Sequence, residues 1–263
     1  MRITLPLLQQ KAQKQEKFTA LTCYDATFAT ILDNAGVDIL LVGDSLGNVV
    51  QGSETTLPVS LEDMIYHTRC VARGTRNALI MTDMPFGSYQ LSPEQAFENA
   101  AKIVAAGAHM VKLEGGQIMT DTVQFLTQRG IPVCAHIGLT PQSIHQLGGY
   151  KLQGNTEKSA KQLLDDARSL EKSGAGLLVM EVVPAALAQT ITQSLAIPTI
   201  GIGAGLHCSA QVLVLHDLLG LYPGKKPRFA KDFMANAGSI QQAVANYVTA
   251  VKTGSFPANE HQF

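Results

Sequence analysis

The stretch VDILLVGDS, residues 37–45, decides how the chain is read. An apolar run from Ile39 to Val42 leads directly into Gly43, Asp44 and Ser45. The run is continuous rather than alternating, as expected where both faces of a parallel strand are covered. An unpaired buried carboxylate is costly, so one at the end of such a strand needs a metal, a partner or a chemical role.

The same form recurs on either side. The other runs are KFTALTCY (17–24), ALIMTDMPF (78–86), HMVKLEGG (109–116), IPVCAHIGL (131–139), GLLVMEVV (176–183), IPTIGIGAG (197–205) and VLVLHDLLG (212–220). Eight such runs suffice to close a (β/α)8 TIM barrel, an α/β fold. Each is followed by a helix-like segment. SLEDMIYHTRCVARG starts with Ser60 as N-cap and stops at Gly74. SPEQAFENAAKIVAAG has Ser92 as N-cap, Pro93 at the first helical position and a stop at Gly107. EKSAKQLLDDARSLEKSG ends at Gly174. No low-complexity linker divides the chain. The expectation is a single barrel domain over residues 1–263, with a C-terminal helical extension from about residue 228.

Composition limits the function classes. The 263 residues are 46% hydrophobic and 16% charged, with a net charge of −1. That balance gives no electrostatic case for nucleic acid or an anionic membrane as partner. No apolar run approaches the roughly 18 residues of a membrane span. The N-terminal MRITLPLLQQKAQKQEKF lacks a signal-peptide core, so a cytoplasmic protein is expected. Cys23, Cys70, Cys134 and Cys208 form no CxxC pair, which fits buried reduced thiols better than a disulfide framework or zinc.

Titratable residues gather at the strand ends. Asp44 ends the second run and Asp83 the third, Lys112 and Glu114 sit on the fourth, His136 ends the fifth and Glu181 the sixth. The C-terminal strand ends are where barrel enzymes place their chemistry. Neighbouring strands lie about 4.8 Å apart, so these side chains can converge. Lys112 and Glu114 are two residues apart and share a face. Carboxylates on adjacent strands suit a hard cation such as Mg²⁺, which takes one or two direct carboxylates plus water and substrate. Asp44 and Asp83 are the expected direct ligands, with Glu114 direct or through water. Singly, each residue has a structural explanation: an Asp here can cap a helix, Lys112 and Glu114 can form an ion pair, and His136 can be a satisfied core residue. The joint pattern points to a site.

Other features carry less. GIGAG (201–205) lacks the Lys-Ser/Thr of a phosphate loop and suits close backbone packing at a barrel mouth. PGKKPRFAKDF (223–233) reads as a solvated surface or subunit contact. His145, His207 and His216 have no ligand-like spacing. The long connections 46–59 and 140–156 follow strands two and five and are candidate lids.

The segments TCYDATFA, LLVGDSLGNVVQG, TLPVSLEDMIYHT, DMPFGSY, VKLEGG, HIGLTPQS, GGYKLQG, IGIGAG and HDLLG, in this order, resemble the ketopantoate (3-methyl-2-oxobutanoate) hydroxymethyltransferase family. The likeness runs from about residue 20 to residue 220. It implies a barrel of the phosphoenolpyruvate mutase/isocitrate lyase-like group. It implies Mg²⁺ held by Asp44 and Asp83 with Glu114 assisting. It implies keto-acid contacts from Asp44, Ser45, Asp83, Lys112 and His136, and Glu181 as catalytic base. It further implies 5,10-methylenetetrahydrofolate as one-carbon donor and a Mg-stabilised enolate. The product would be 2-dehydropantoate, in pantothenate biosynthesis, made by a homo-oligomer that is commonly a decamer. Three alternatives stay open: a carbon–carbon lyase or mutase of the same group, whose usual Lys-Cys-Gly-His stretch is missing here; a Schiff-base aldolase using Lys112; and a metabolite-binding barrel without turnover.

Overall fold

A computed structural model describes residues 2–221, 223–224 and 226–263. Its strands are β1 (Phe18–Thr22), β2 (Ile39–Val42), β3 (Leu79–Asp83), β4 (Met110–Glu114), β5 (Val133–Gly138), β6 (Leu177–Glu181), β7 (Thr199–Ile202) and β8 (Ala210–Leu213). All neighbours pair in parallel, and β8 closes on β1. The apolar runs therefore do what continuous hydrophobicity requires: one face fills the barrel and the other meets the outer helices.

Alternation within each strand separates two cores. Ala20, Ile39, Leu41, Leu79, Met81, Met110, Cys134, Leu177, Val179, Ile200 and Val212 fill the lumen. Their neighbours Leu21, Leu40, Ile80, Val111, Ala135, Leu178 and Leu213 face the helices. The N-terminal helix Leu5–Gln13 inserts the fully buried Leu8 into the lumen cluster. Lys11 Nζ pairs with the buried Asp38 at 2.6 Å, tying that helix to the chain just ahead of β2. Met110 lies in the lumen, so Lys112 and Glu114, two and four residues on, point the same way.

The helix starts follow their capping residues. Ser60 and Asp63 form a reciprocal capping box at the start of Leu61–Gly74. Ser92 accepts from Gln95 N–H ahead of Pro93–Ala105. Gly107 ends that helix with φ +119°, as a C-terminal glycine should. Leu61–Gly74 ends at Gly74 as expected, but as a helical residue rather than a left-handed cap, and a Cβ there would lie 2.2 Å from Ala26 O. Its smallness lets two neighbouring helices touch.

Two further departures concern the end of the chain. Residues 203–209 join β7 to β8 without a helix, so the pattern of one helix per strand fails there. The eighth strand lies at 210–213, and the later part of VLVLHDLLG forms a single helical turn, Leu215–Leu218. The polar Gln211 interrupts the apolar run and hides the start of the strand; its Nε2 donates to Gly205 O at 3.0 Å. The helical segment beyond residue 228 is present as Ile240–Lys252 and belongs to the outer ring. Tyr247 O–H reaches Ala20 O on β1 and Gln211 O on β8, at 3.0 and 2.9 Å. Among the described residues, no helix is long and apolar enough to cross a membrane.

Candidate active site

The parallel register sets the titratable side chains in tiers. Asp83 is opposite Lys112, Glu114 opposite His136, and Gly138 opposite Glu181. Asp83, Glu114 and Glu181 end their strands, whereas His136 lies two residues inside β5 and Asp44 two residues beyond β2. Gly43 has the room this needs: a Cβ there would come within 2.8 Å of Ser45 Oγ and 3.7 Å of Asp83 Oδ2.

A connected polar array results. Asp44 N–H donates to Asp83 Oδ2 at 3.0 Å. Lys112 Nζ lies 3.0 Å from Asp83 Oδ1 and 3.3 Å from His136 Nδ1. The His136 ring bridges two carboxylates, with Nδ1 3.5 Å from Glu114 Oε1 and Nε2 3.3 Å from Glu181 Oε2. Ser45 Oγ hydrogen-bonds Tyr24 O–H at 2.9 Å. All six predicted titratable residues and Ser45 thus come together at the same end of the barrel. They are buried except Glu181 and Ser45, which are half-buried.

The charges balance in a definite way. Burial disfavours the Lys112 ammonium, but Asp83, Glu114 and Asp44 outweigh it and raise its pKa. Burial and then the Asp83 and Glu114 charges push Asp44 well above the ordinary carboxylate range. Burial raises Glu114 too, but His136 and Lys112 overcome this and leave it low. Burial and Lys112 oppose charge on His136; Glu114 and Glu181 prevail and raise it to about 9. An imidazolium beside Lys112 is tolerable because carboxylates surround both cations.

The donor set fits a divalent ion of the Mg²⁺ type. Asp83 Oδ1 is paired with the Lys112 ammonium and Glu114 Oε1 faces the His136 ring, so the three buried carboxylates share two cationic side chains. Asp44 is strained electrostatically by two neighbouring carboxylates, a strain a cation would relieve. Among the described residues no three His, Cys, Asp or Glu side chains form a ready-made cage. Mg²⁺ does not require one, since it keeps waters and shares its sphere with substrate. Glu114 is engaged elsewhere: Oε2 accepts from Gln142 N–H at 3.0 Å and Oε1 faces His136.

Above the array opens a cavity of about 620 Å³, within the usual range for ligand sites. Asp44, Ser45, Asp83, Lys112, His136 and Glu181 line its polar side; Leu41, Met81, Val179, Ile200, Ile202 and Val212 line its apolar side. Both long connections contribute walls, through Asn48, Val49, Glu54 and Thr56 and through Pro141, Tyr150 and Leu152. Val182 adopts φ +49°, a strained conformation for a β-branched residue, directly after Glu181. Its N–H donates to Ile202 O, and Gln153 N–H donates to its carbonyl.

The basic segment 223–233 needs correction. Lys226, Pro227, Arg228 and Phe229 stand on the cavity wall rather than on a remote solvated surface, and Phe229 packs on the lumen core; Lys225 lies outside the described residues. GIGAG is a packing motif, because a Cβ at Gly203 would come within 3.0 Å of the Phe263 ring and one at Gly205 within 2.6 Å of Ala185 Cβ. Sequence reasoning missed Gln142 and Tyr89, both buried behind the carboxylates. The segments HIGLTPQS and DMPFGSY contained them, but a neutral amide and a phenol in loops carry no local signal of a role.

The family model described as ketopantoate hydroxymethyltransferase matches residues 2–259. The chain is 67% identical over 263 residues to a 3-methyl-2-oxobutanoate hydroxymethyltransferase of Nitrosospira multiformis, covering all of both chains. It is 62% identical to the protein of that name from Thiobacillus denitrificans, again over all of both. Among solved structures it resembles a phosphonopyruvate hydrolase complexed with oxalate and Mg²⁺, with a TM-score of 0.62, 12% identity and 81% of each chain covered. It also resembles a 2,3-dimethylmalate lyase of the PEP mutase/isocitrate lyase superfamily, with a TM-score of 0.57, 17% identity and 98% of this chain and all of that one covered. At such identities these structures establish the barrel alone.

Proposed function

The chain belongs to the ketopantoate hydroxymethyltransferase family, and from that premise we propose that it joins a one-carbon unit from 5,10-methylenetetrahydrofolate to C3 of 3-methyl-2-oxobutanoate, giving 2-dehydropantoate. The observation that carries this reading is that Glu181 lines the same cavity as Asp44, Asp83 and Lys112 and is linked to Lys112 through the His136 ring.

The keto acid's oxygens belong on the Asp44–Asp83 side, and its branched carbon belongs against the apolar wall and Glu181. A divalent ion held there by Asp44 and Asp83, with Glu114 behind them, would supply Lewis-acid polarisation of the keto group. Glu181 accepts the C3 proton. His136 Nε2 faces Glu181 Oε2, which orients the carboxylate and leaves its other oxygen for the proton. Charge developing on the keto oxygen is met by Lys112, held protonated by its carboxylate neighbours. Water releases the methylene carbon from both folate nitrogens at the formaldehyde level, leaving tetrahydrofolate; the electron pair left at C3 adds to that carbon, and its oxygen takes up the proton to become the product hydroxyl. The loops 46–59 and 140–156 wall the cavity and shield it from bulk water.

A Schiff-base route is disfavoured by the same geometry. Lys112 is an ion-paired ammonium 3.0 Å from Asp83, whereas an amine nucleophile must be deprotonated. Magnesium dependence, a cytoplasmic location and a homo-oligomer of decameric type complete the proposal. Its test uses a ¹³C-labelled methylene carbon on the folate. Label in the hydroxymethyl carbon of the product is expected; label that stays on folate in the presence of keto acid and Mg²⁺ would overturn it.

A further inference from the structure

Behind the carboxylates lies a fully connected amide. Gln142 sits in the single 3₁₀ turn Pro141–Ser143, in the loop after β5. Its Nε2 donates to Asp44 Oδ2 and to Met84 O, both at 2.9 Å. Its Oε1 accepts from Tyr89 O–H at 2.7 Å and from Gln90 Nε2 at 3.2 Å. Its backbone N–H, left free at the start of a turn, donates to Glu114 Oε2 at 3.0 Å. One residue therefore reaches chain segments that follow β2 and β3 and the end of β4.

The sense of the amide is decided by its surroundings. Flipping it would set Oε1 against the Asp44 carboxylate and the Met84 carbonyl, and the NH₂ against the Gln90 donor. Tyr89 locks the same sense. Its hydroxyl accepts from Glu114 N–H at 3.0 Å, and of the two acceptors its proton can reach, Gln142 Oε1 at 2.7 Å is nearer than Glu114 O at 3.3 Å. Tyr89 is 1% exposed, and burial raises its pKa, so it remains a donor. With Asp44 Oδ2 and Glu114 Oε2 held from behind, Asp44 Oδ1 is left for other partners and Glu114 Oε1 faces His136.

We propose that Gln142 is a positioning residue for the ion site, aiming the Asp44 and Glu114 carboxylates, with Tyr89 fixing the sense of its amide. The inference rests on the proposed role of Asp44 as an ion ligand. A carboxylate free to rotate must be reoriented on each binding event, whereas one held by a second partner is pre-set. Tyr89 and Gln142 touch neither the cavity nor the reacting atoms; they act through the carboxylates.

The test is direct Mn²⁺ binding to the full-length protein, followed by electron paramagnetic resonance without keto acid or folate. Gln142→Leu keeps the bulk and deletes the donors and acceptor of the side chain; Tyr89→Phe deletes a single hydroxyl. Asp44→Asn serves as the reference for a lost ligand. Expected are a roughly tenfold rise in the Mn²⁺ dissociation constant for Gln142→Leu and a several-fold rise for Tyr89→Phe, with thermal midpoints showing folded protein. Wild-type affinity in both folded variants would overturn the positioning role and leave the ion reading intact. If Gln142→Leu does not fold, Tyr89→Phe decides alone. Failure of the wild-type protein to bind Mn²⁺ would remove the ion reading and this inference with it.

Discussion

His136 stands between Glu114 and Glu181, and its protonation state sets the charge of the whole array. Its pKa is raised from 6.5 to about 9 by those two carboxylates, against burial and Lys112. A raised pKa means that the folded state holds the proton more tightly than the unfolded chain. The associated stability is complete below pH 6.5 and is lost as pH rises through about 9. In the metal-free protein, the His136 ring resonances should therefore titrate near pH 9, and the thermal midpoint should fall faster between pH 6.5 and 9 than in His136→Gln. A ring that titrates near 6.5, with equal slopes in the two proteins, would contradict the bridging geometry. The six titratable residues were legible because charge at the end of an apolar strand is conspicuous. Gln142 and Tyr89 were not, because their contacts arise only when the loops after β3 and β5 fold over the carboxylates.

At the scale of elements, β5 and β6 must meet closely for His136 to reach Glu181. Gly138, with φ +92°, ends β5 where a Cβ would lie 2.3 Å from Glu181 O and 2.7 Å from the Val183 side chain. Gly138→Ala should displace the backbone that carries Glu181, the proposed base. The expected result is a folded protein destabilised by about 2 kcal/mol or more, with turnover reduced more than keto-acid affinity. Denaturant unfolding together with kcat and KM measures both effects; unchanged kcat would show that β6 tolerates the shift. The strand–helix alternation was readable from caps and continuous apolar runs up to β7. It failed at residues 203–209, where Gly203 and Gly205 have positive φ and the chain crosses to β8 in a short loop. The periodic signal of a helix is absent from GAGLHCS, and the expectation of a regular barrel overrode it.

Across the whole molecule, the two ends of the barrel divide the work. The N-terminal helix closes the lumen from below with Leu8, and Lys11 anchors it to Asp38. The open end holds the polar array, with the C-terminal residue Phe263 and the segment Lys226–Phe229 on its wall. Leu8→Ala leaves a void under the lumen and should cost about 2–5 kcal/mol. Thermal or denaturant unfolding should register that loss while Mn²⁺ affinity remains near wild type, since the proposed ion site lies at the other end. A large loss of Mn²⁺ affinity in folded Leu8→Ala would show that the ends are not independent. The barrel was legible because eight apolar runs are a global count. The return of the chain end to the mouth was not, since neither Phe229 nor Phe263 lies in a periodic element.

The central claim is that Glu181 removes the C3 proton of a keto acid held beside Asp44, Asp83 and Lys112. The most direct measurement is proton NMR of 3-methyl-2-oxobutanoate in D₂O with the protein and no folate, with and without Mg²⁺, for wild type and Glu181→Gln. Loss of the C3–H signal only with wild-type protein and Mg²⁺, while Glu181→Gln still binds the keto acid, is the predicted result. Exchange by Glu181→Gln at the wild-type rate, or exchange by the wild type that ignores Mg²⁺, would contradict the account.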